Sequence, residues 1–99
     1  MAPTLLTEDE IARLSADLPG WQVRDGRLAL DVTAPSFLQA VGWVVAIAEA
    51  AEEMDHHPDI DIRWRTLHLS LATHSVGGLT ELDVELAHRI DEVLAAGYL

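Results

Sequence analysis

The stretch Trp21–Val32, WQVRDGRLALDV, decides the fold. Trp21 and Val23 alternate with polar residues, Asp25-Gly26 interrupts, and Leu28, Leu30 and Val32 alternate again. A period of two places every second side chain on one face of a strand. Asp-Gly between two such runs is a strong hairpin signal, because its two-residue turn needs positive φ angles.

Upstream, Thr7 and Glu10 stand at capping-box spacing, and Glu8 and Asp9 favour the positive end of a helix. Ile11, Leu14 and Leu18 then recur at helical spacing until Pro19-Gly20 stops them, which predicts a short amphipathic helix over about Thr7 to Asp17. Downstream, Pro35 and Ser36 suit a helix start. Phe37, Val41, Val44, Ala48 and Ala51 continue as a long helix to about Met54. Pro58 cannot extend it and biases His57 toward extended geometry. Ile60–Trp64 alternates briefly, and Leu67, Leu69 and Leu71 alternate with His68, Ser70 and Ala72. Val76-Gly77-Gly78-Leu79 reads as a turn, Thr80 and Asp83 as a Thr-x-x-acid cap, and Leu82, Leu86, Ile90 and Leu94 as the last helix.

The order is α-β-β-α-β-β-α over a single domain, residues 1–99. Its simplest layered solution is an α+β fold: a four-stranded, mostly antiparallel sheet with helices packed on one face. One sheet face is then left open, and in so small a chain an open face or edge favours a homo-oligomer, a homodimer or homotetramer.

Composition limits the function classes. With 99 residues and 49% apolar side chains the chain is globular material. No cysteine is present, which removes disulfides, thiolate nucleophiles and cysteine-based zinc sites, and fits a reducing cytoplasm. The formal charge is −11 with no lysine, so phosphate backbones and anionic membranes are both repelled. The N-terminus MAPTLLTEDE lacks a basic segment followed by an apolar run. The stretch from Val41 is too short to span a bilayer, so a soluble, cytoplasmic protein is expected with neither nucleic acid nor membrane as partner.

Chemistry concentrates in Met54–Asp59, MDHHPD. His56 and His57 adjoin where the long helical pattern ends, Glu52 and Asp55 are close in sequence, and His74 falls at the end of the fourth strand, beside the glycine turn. If the third and fourth strands pair, the helix-end histidines and His74 converge on one side. Four readings compete. Histidine cations can cap a helix C-terminus. They can bind metal, but adjacent side chains diverge and zinc helices space their ligands four apart. They can act as general acid and base near neutral pH, with Glu52 or Asp55 fixing tautomer and charge. Nucleophilic catalysis is weakly supported, since no Ser or Thr sits in a G-x-S-x-G context.

Glu52-x-x-x-His56-His57-Pro58, then Trp64, then His74 and Asp83, resembles the signature of the pterin-4a-carbinolamine dehydratases, as do Gly20-Trp21 and the GGLT run ending at Thr80. The resemblance covers nearly the whole chain. It implies an oligomeric lyase that removes water from 4a-hydroxytetrahydropterin to give quinonoid dihydropterin, with no metal or organic cofactor. It implies acid/base roles for His56 and His74, with each facing a different 4a stereoisomer as one arrangement. His57 would bind the ring and assist proton transfer. Asp55, Pro58, Trp64, Ala72, Thr73 and Ser75 would line the substrate site, with Glu52 and Asp83 behind them.

Trp64 stands where many relatives have tyrosine, and Arg65 where asparagine is common, which bears on pocket shape more than on chemistry. His68 lies six residues from His74, roughly 20 Å along an extended strand, so it and His88 are read as structural or solvent-facing. Two other functions stay open. One is a non-enzymatic interaction module, since an animal member of the resembled family also partners a transcription factor. The other is a related pterin reaction, such as one in molybdopterin metabolism.

Overall fold

The computed structural model describes residues 3–96, and the first two and last three residues of the expected 1–99 domain lie outside them. Asp25 and Gly26 both take positive φ, 54° and 72°, and fold β1 (Gln22–Arg24) onto β2 (Arg27–Thr33) with Arg24 opposite Arg27. Both central residues of a type I′ turn need such angles, and the Asp-Gly pair supplies them at low cost.

A long helix, α3 (Phe37–Met54), follows, capped by the Ser36 hydroxyl on the Gln39 N–H. β3 (Asp59–Arg63) and β4 (Thr66–Leu71) then form a second hairpin. The sheet order is β1-β2-β4-β3, all pairs antiparallel. β3 and β4 are therefore neighbours, the condition on which convergence of the histidines depended. The last helix, α4 (Glu81–Ala95), packs beside α3.

Register decides which side chains meet the helices. Leu28 lies opposite Leu71, Leu30 opposite Leu69 and Val32 opposite Leu67, while Ile60 and Ile62 flank Leu69 and Leu67 from β3. That row joins Ile47, Trp43, Leu86 and Ile90 of the helices in one hydrophobic cluster. Leu67, Leu69 and Leu71 are almost completely buried, and each contributes about 1.5–3 kcal/mol by leaving water. Trp21 joins the cluster and its indole N–H donates to Asp91 at 2.9 Å, tying the start of the first hairpin to α4.

The opposite sheet face is open and polar. His68 on central β4 lies between Asp31 and Asp61, with Nδ1–H donating to the Asp31 carboxylate at 2.8 Å, and Arg27 reaches Ser70 and Asp59. Exposed apolar side chains lie instead on α3, at Phe37, Leu38, Val41 and Val45. No helix among the described residues is long and apolar enough to cross a membrane.

Two elements differ from the sequence reading. The expected helix over Thr7–Asp17 forms as two short pieces, α1 (Glu8–Ala12) and α2 (Leu14–Asp17), separated at Arg13. Arg13 N–H is shared among the carbonyls of Asp9, Glu10 and Ile11, so one turn tightens and the next restarts. The fourth strand ends at Leu71, and His74 opens a short 3₁₀ turn, His74–Val76, closed by Gly77 at φ 70°.

Candidate functional site

The site is built at the joint between α3 and β3. Asp55 takes a left-handed conformation, φ 50° and ψ 43°, and ends α3. Its N–H bonds the Glu52 carbonyl and the next N–H, of His56, reaches back to the Ala51 carbonyl at 3.1 Å. This paired closure satisfies the last carbonyls and turns the chain sharply, with aspartate where glycine is usual. His56 is thereby directed inward and His57 outward: His56 is 9% exposed, while His57 is an exposed side chain. Pro58 then leads directly into β3, whose Asp59 pairs with Ser70 near the end of β4.

Each histidine has its own carboxylate. His57 Nε2 lies 2.6 Å from Glu52 Oε2, one turn back on α3, and both are exposed. His56 Nε2 lies 2.7 Å from Asp83 Oδ1 on α4. Asp83 is 0% exposed, and its other oxygen accepts the Thr80 N–H at 3.0 Å and the Thr73 hydroxyl at 2.8 Å. The Thr73 and Thr80 hydroxyls are themselves 2.8 Å apart, and Thr80 Oγ1 accepts the Leu82 N–H at 3.2 Å. Asp83 is thus both the capping-box residue of α4 and the anchor of His56. The sequence spacing identified the cap; it did not reveal that the same carboxylate reaches a histidine 27 residues away.

His56 Nδ1 makes no hydrogen bond among the described residues. Trp43 Nε1 is the one sealed-off side-chain nitrogen or oxygen lacking a partner among them. The ring is held by one nitrogen and open at the other, an arrangement suited to proton transfer.

The remaining expected residues divide. Ala72 and Thr73 are buried beyond β4, and Thr73 binds the Asp83 carboxylate, which brings the His74 turn to the His56 side of the sheet. His74 and Ser75 are exposed on that turn. Thr73 does not have the free groups that a substrate contact needs. Its hydroxyl serves Asp83, its N–H donates to the Gly78 carbonyl at 2.8 Å, and its carbonyl receives the N–H groups of Val76 and Gly77. Its polar groups are engaged beneath the His74 turn, in support of the Asp83 carboxylate.

Trp64 is not brought to this cluster. It occupies the β3–β4 turn with φ 53° and is 88% exposed. β3 carries it away from Pro58 by roughly 20 Å. A two-residue turn demanded a positive φ at that place, and tryptophan accepted it at some strain. His68 lies on the open sheet face and His88 bonds Asp17, so both stand outside the cluster. Thr80 was legible only as a cap, yet its N–H and hydroxyl complete the setting of Asp83. Among the described residues no group of three or more His, Asp or Glu side chains is arranged to hold a metal ion.

Comparison with known proteins bears on the fold and the family of the chain. Residues 4–93 match the family model described as pterin 4 alpha carbinolamine dehydratase. A Mycobacterium sp. (strain KMS) protein named for that same family is 49% identical over 90 residues, covering 91% of this chain and 96% of its own length. The crystal structure of a Brucella melitensis protein described as a transcriptional coactivator/pterin dehydratase superposes with a TM-score of 0.87 at 33% identity, over 91% of this chain and 98% of that one. A pterin dehydratase-like protein described as a RuBisCO assembly factor in the alpha-carboxysome shares the fold alone, with a TM-score of 0.61 at 23% identity over 74% of this chain and 84% of its own. Sequence, fold and family model coincide over nearly the whole length: the chain belongs to the pterin 4 alpha carbinolamine dehydratase family.

Proposed function

We propose that the protein is a hydro-lyase that removes water from a 4a-hydroxytetrahydropterin to give quinonoid dihydropterin. The observation that carries this reading is the pair of adjacent histidines, each on its own carboxylate, at the α3–β3 joint of a chain of this family. In the reaction the C4a hydroxyl leaves as water once protonated, and the adjacent ring nitrogen gives up its proton as the carbon–nitrogen double bond forms. No electrons enter or leave, so one proton donor and one acceptor suffice.

His56 and His74 serve as acid and base, one on each side of C4a, and His57 binds the ring and assists transfer. Glu52 supports His57, because a carboxylate oxygen 2.6 Å from one imidazole nitrogen fixes the orientation of the ring. Asp55, Pro58, Ala72 and Ser75 frame the opening between the α3–β3 joint and the His74 turn. The protein acts in the cytoplasm, without a bound metal or organic cofactor.

The dehydration rate of synthetic 4a-hydroxytetrahydropterin tests the reading. His57→Ala and His74→Ala should each lose about 10²- to 10⁴-fold, the usual contribution of a positioned acid or base. His68→Ala on the open sheet face should stay near wild type, and chelation should change nothing. A wild-type rate no higher than the spontaneous background would sink the proposal and return the fold to the interaction-module reading.

We also infer a homo-oligomer, a dimer or tetramer, though not through the open sheet face. That face is lined by charged and polar groups, which give little drive to association. Leu38 is 76% exposed and lies with Val41 and Val45 along α3, a stripe better suited to a second copy of the helix.

A further inference from the structure

The hydrogen bonds around Asp83 run in one direction. Leu82 N–H donates to Thr80 Oγ1, which leaves the Thr80 hydroxyl hydrogen for Thr73 Oγ1, 2.8 Å away. The Thr73 hydroxyl hydrogen then goes to Asp83 Oδ2, where the Thr80 N–H also arrives. Both donors meet on Oδ2, which therefore carries no hydrogen, and an ionised carboxylate accepts at its other oxygen as well. His56 Nε2, 2.7 Å from Oδ1, must therefore carry a hydrogen. Nδ1 is left as the nitrogen that changes its proton in a reaction, and it makes no hydrogen bond among the described residues.

We propose that Thr73, with the Thr80 N–H, is a positioning residue for proton transfer: it holds Asp83 as an acceptor, so that His56 is kept as the Nε2–H tautomer and works through Nδ1. The assignment separates Thr73 from substrate contact and gives α4 a catalytic duty at its first turn. The cost of losing such an orienting group is large because the wrong tautomer offers a donor where an acceptor is needed. The kinetic part rests on the dehydratase reading; the tautomer does not.

Two measurements on the full chain test the proposal. The first is the ¹⁵N spectrum of the His56 ring at about pH 8.5, where an ordinary histidine is neutral. A bare nitrogen is expected at Nδ1 in the wild type. In Asp83→Asn the amide oxygen should stay with Thr73 and Thr80, turn its NH₂ toward His56, and exchange the bare and protonated nitrogens. The second is the kinetics of Thr73→Val, an isosteric change that removes only the hydroxyl. It should lower kcat about tenfold with KM within about twofold, and Thr73→Ser should restore the rate. A wild-type ring bare at Nε2 overturns the proposal, as does a Thr73→Val variant that raises KM while keeping kcat, the mark of a substrate contact. If Thr73→Val does not fold, the wild-type and Thr73→Ser spectra decide. A wild-type protein with no dehydration above background defeats the dehydratase reading alone, since the tautomer is read without substrate.

Discussion

Removing the Asp83 carboxylate should unfold the protein far more readily than any change at its exposed charges. In Asp83→Ala three donors lose their acceptor: His56 Nε2–H, the Thr73 hydroxyl and the Thr80 N–H. The 2.8 Å contact between the Thr73 and Thr80 hydroxyls already holds the Thr80 hydrogen, so all three donors remain stranded. Each stranded buried donor costs about 1–3 kcal/mol, which gives a loss of roughly 3–9 kcal/mol for the three. A domain of this size holds about 5–15 kcal/mol in all, so the variant should fold at 25 °C with little margin. Its Tm should fall by at least about 15 °C. Asp83→Asn keeps one acceptor oxygen for Thr80 and Thr73 and should lose only about 1–2 kcal/mol. Urea unfolding followed by tryptophan fluorescence measures both, with Glu85→Ala, an exposed partner of Arg89, as a control expected within about 0.5 kcal/mol of wild type. A loss below about 1 kcal/mol in Asp83→Ala at unchanged m would refute the reasoning, because the stranded donors would then have found water in a site taken here as closed.

Three further outcomes concern the exposed turn, the first helix cap and the apolar stripe of α3. Trp64→Asn, which tolerates the left-handed φ better and exchanges an 88% exposed ring, should raise stability by about 0.5–1 kcal/mol in the same urea assay. The Thr7 backbone N–H and then its hydroxyl hold the Glu10 carboxylate below its ordinary range. A carboxylate lowered in the folded state stabilises above its unfolded pKa and loses that contribution as pH falls through the folded value. Glu10→Gln should therefore flatten the acid side of the stability–pH curve below about pH 5, with no effect at higher pH on its slope. Leu38→Asp with Val45→Asp should shift the mass measured by light scattering to that of the monomer, and an unchanged mass would remove α3 as the interface.

Much of the fold was legible because its signals are local. The Asp25-Gly26 turn, the alternation of Leu67, Leu69 and Leu71, and the Thr80–Asp83 cap each depend on residues a few positions apart. The break at Arg13 was not legible, since Ile11, Leu14 and Leu18 keep their spacing across it and tertiary packing sets how the turn closes. At the site, the sequence pointed to the residues by family pattern but not to their pairing. Nothing in the chain order says that Glu52 takes His57 while Asp83 takes His56. That choice follows from Asp55: its left-handed turn sends one ring inward and the next outward. Trp64 was legible as part of the pattern and misleading as to place, because strand direction, not spacing, carries it to the far end of the sheet.

The opposed directions of His56 and His57 also explain why one buried and one exposed carboxylate are needed. An exposed pair such as Glu52–His57 is screened and loosely held, so it can follow a substrate that enters and leaves. The Asp83–His56 pair is enclosed, so it can hold a ring orientation and a tautomer, but only if every hydrogen on the carboxylate is accounted for. Thr80 meets that condition with an N–H that the helix cap already required, and Thr73 adds a hydroxyl from the start of the 3₁₀ turn. Disturbing the cap should therefore disturb the chemistry, while disturbing Glu52 should change activity and leave stability nearly untouched. That contrast separates a site assembled from the fold from one merely placed on its surface.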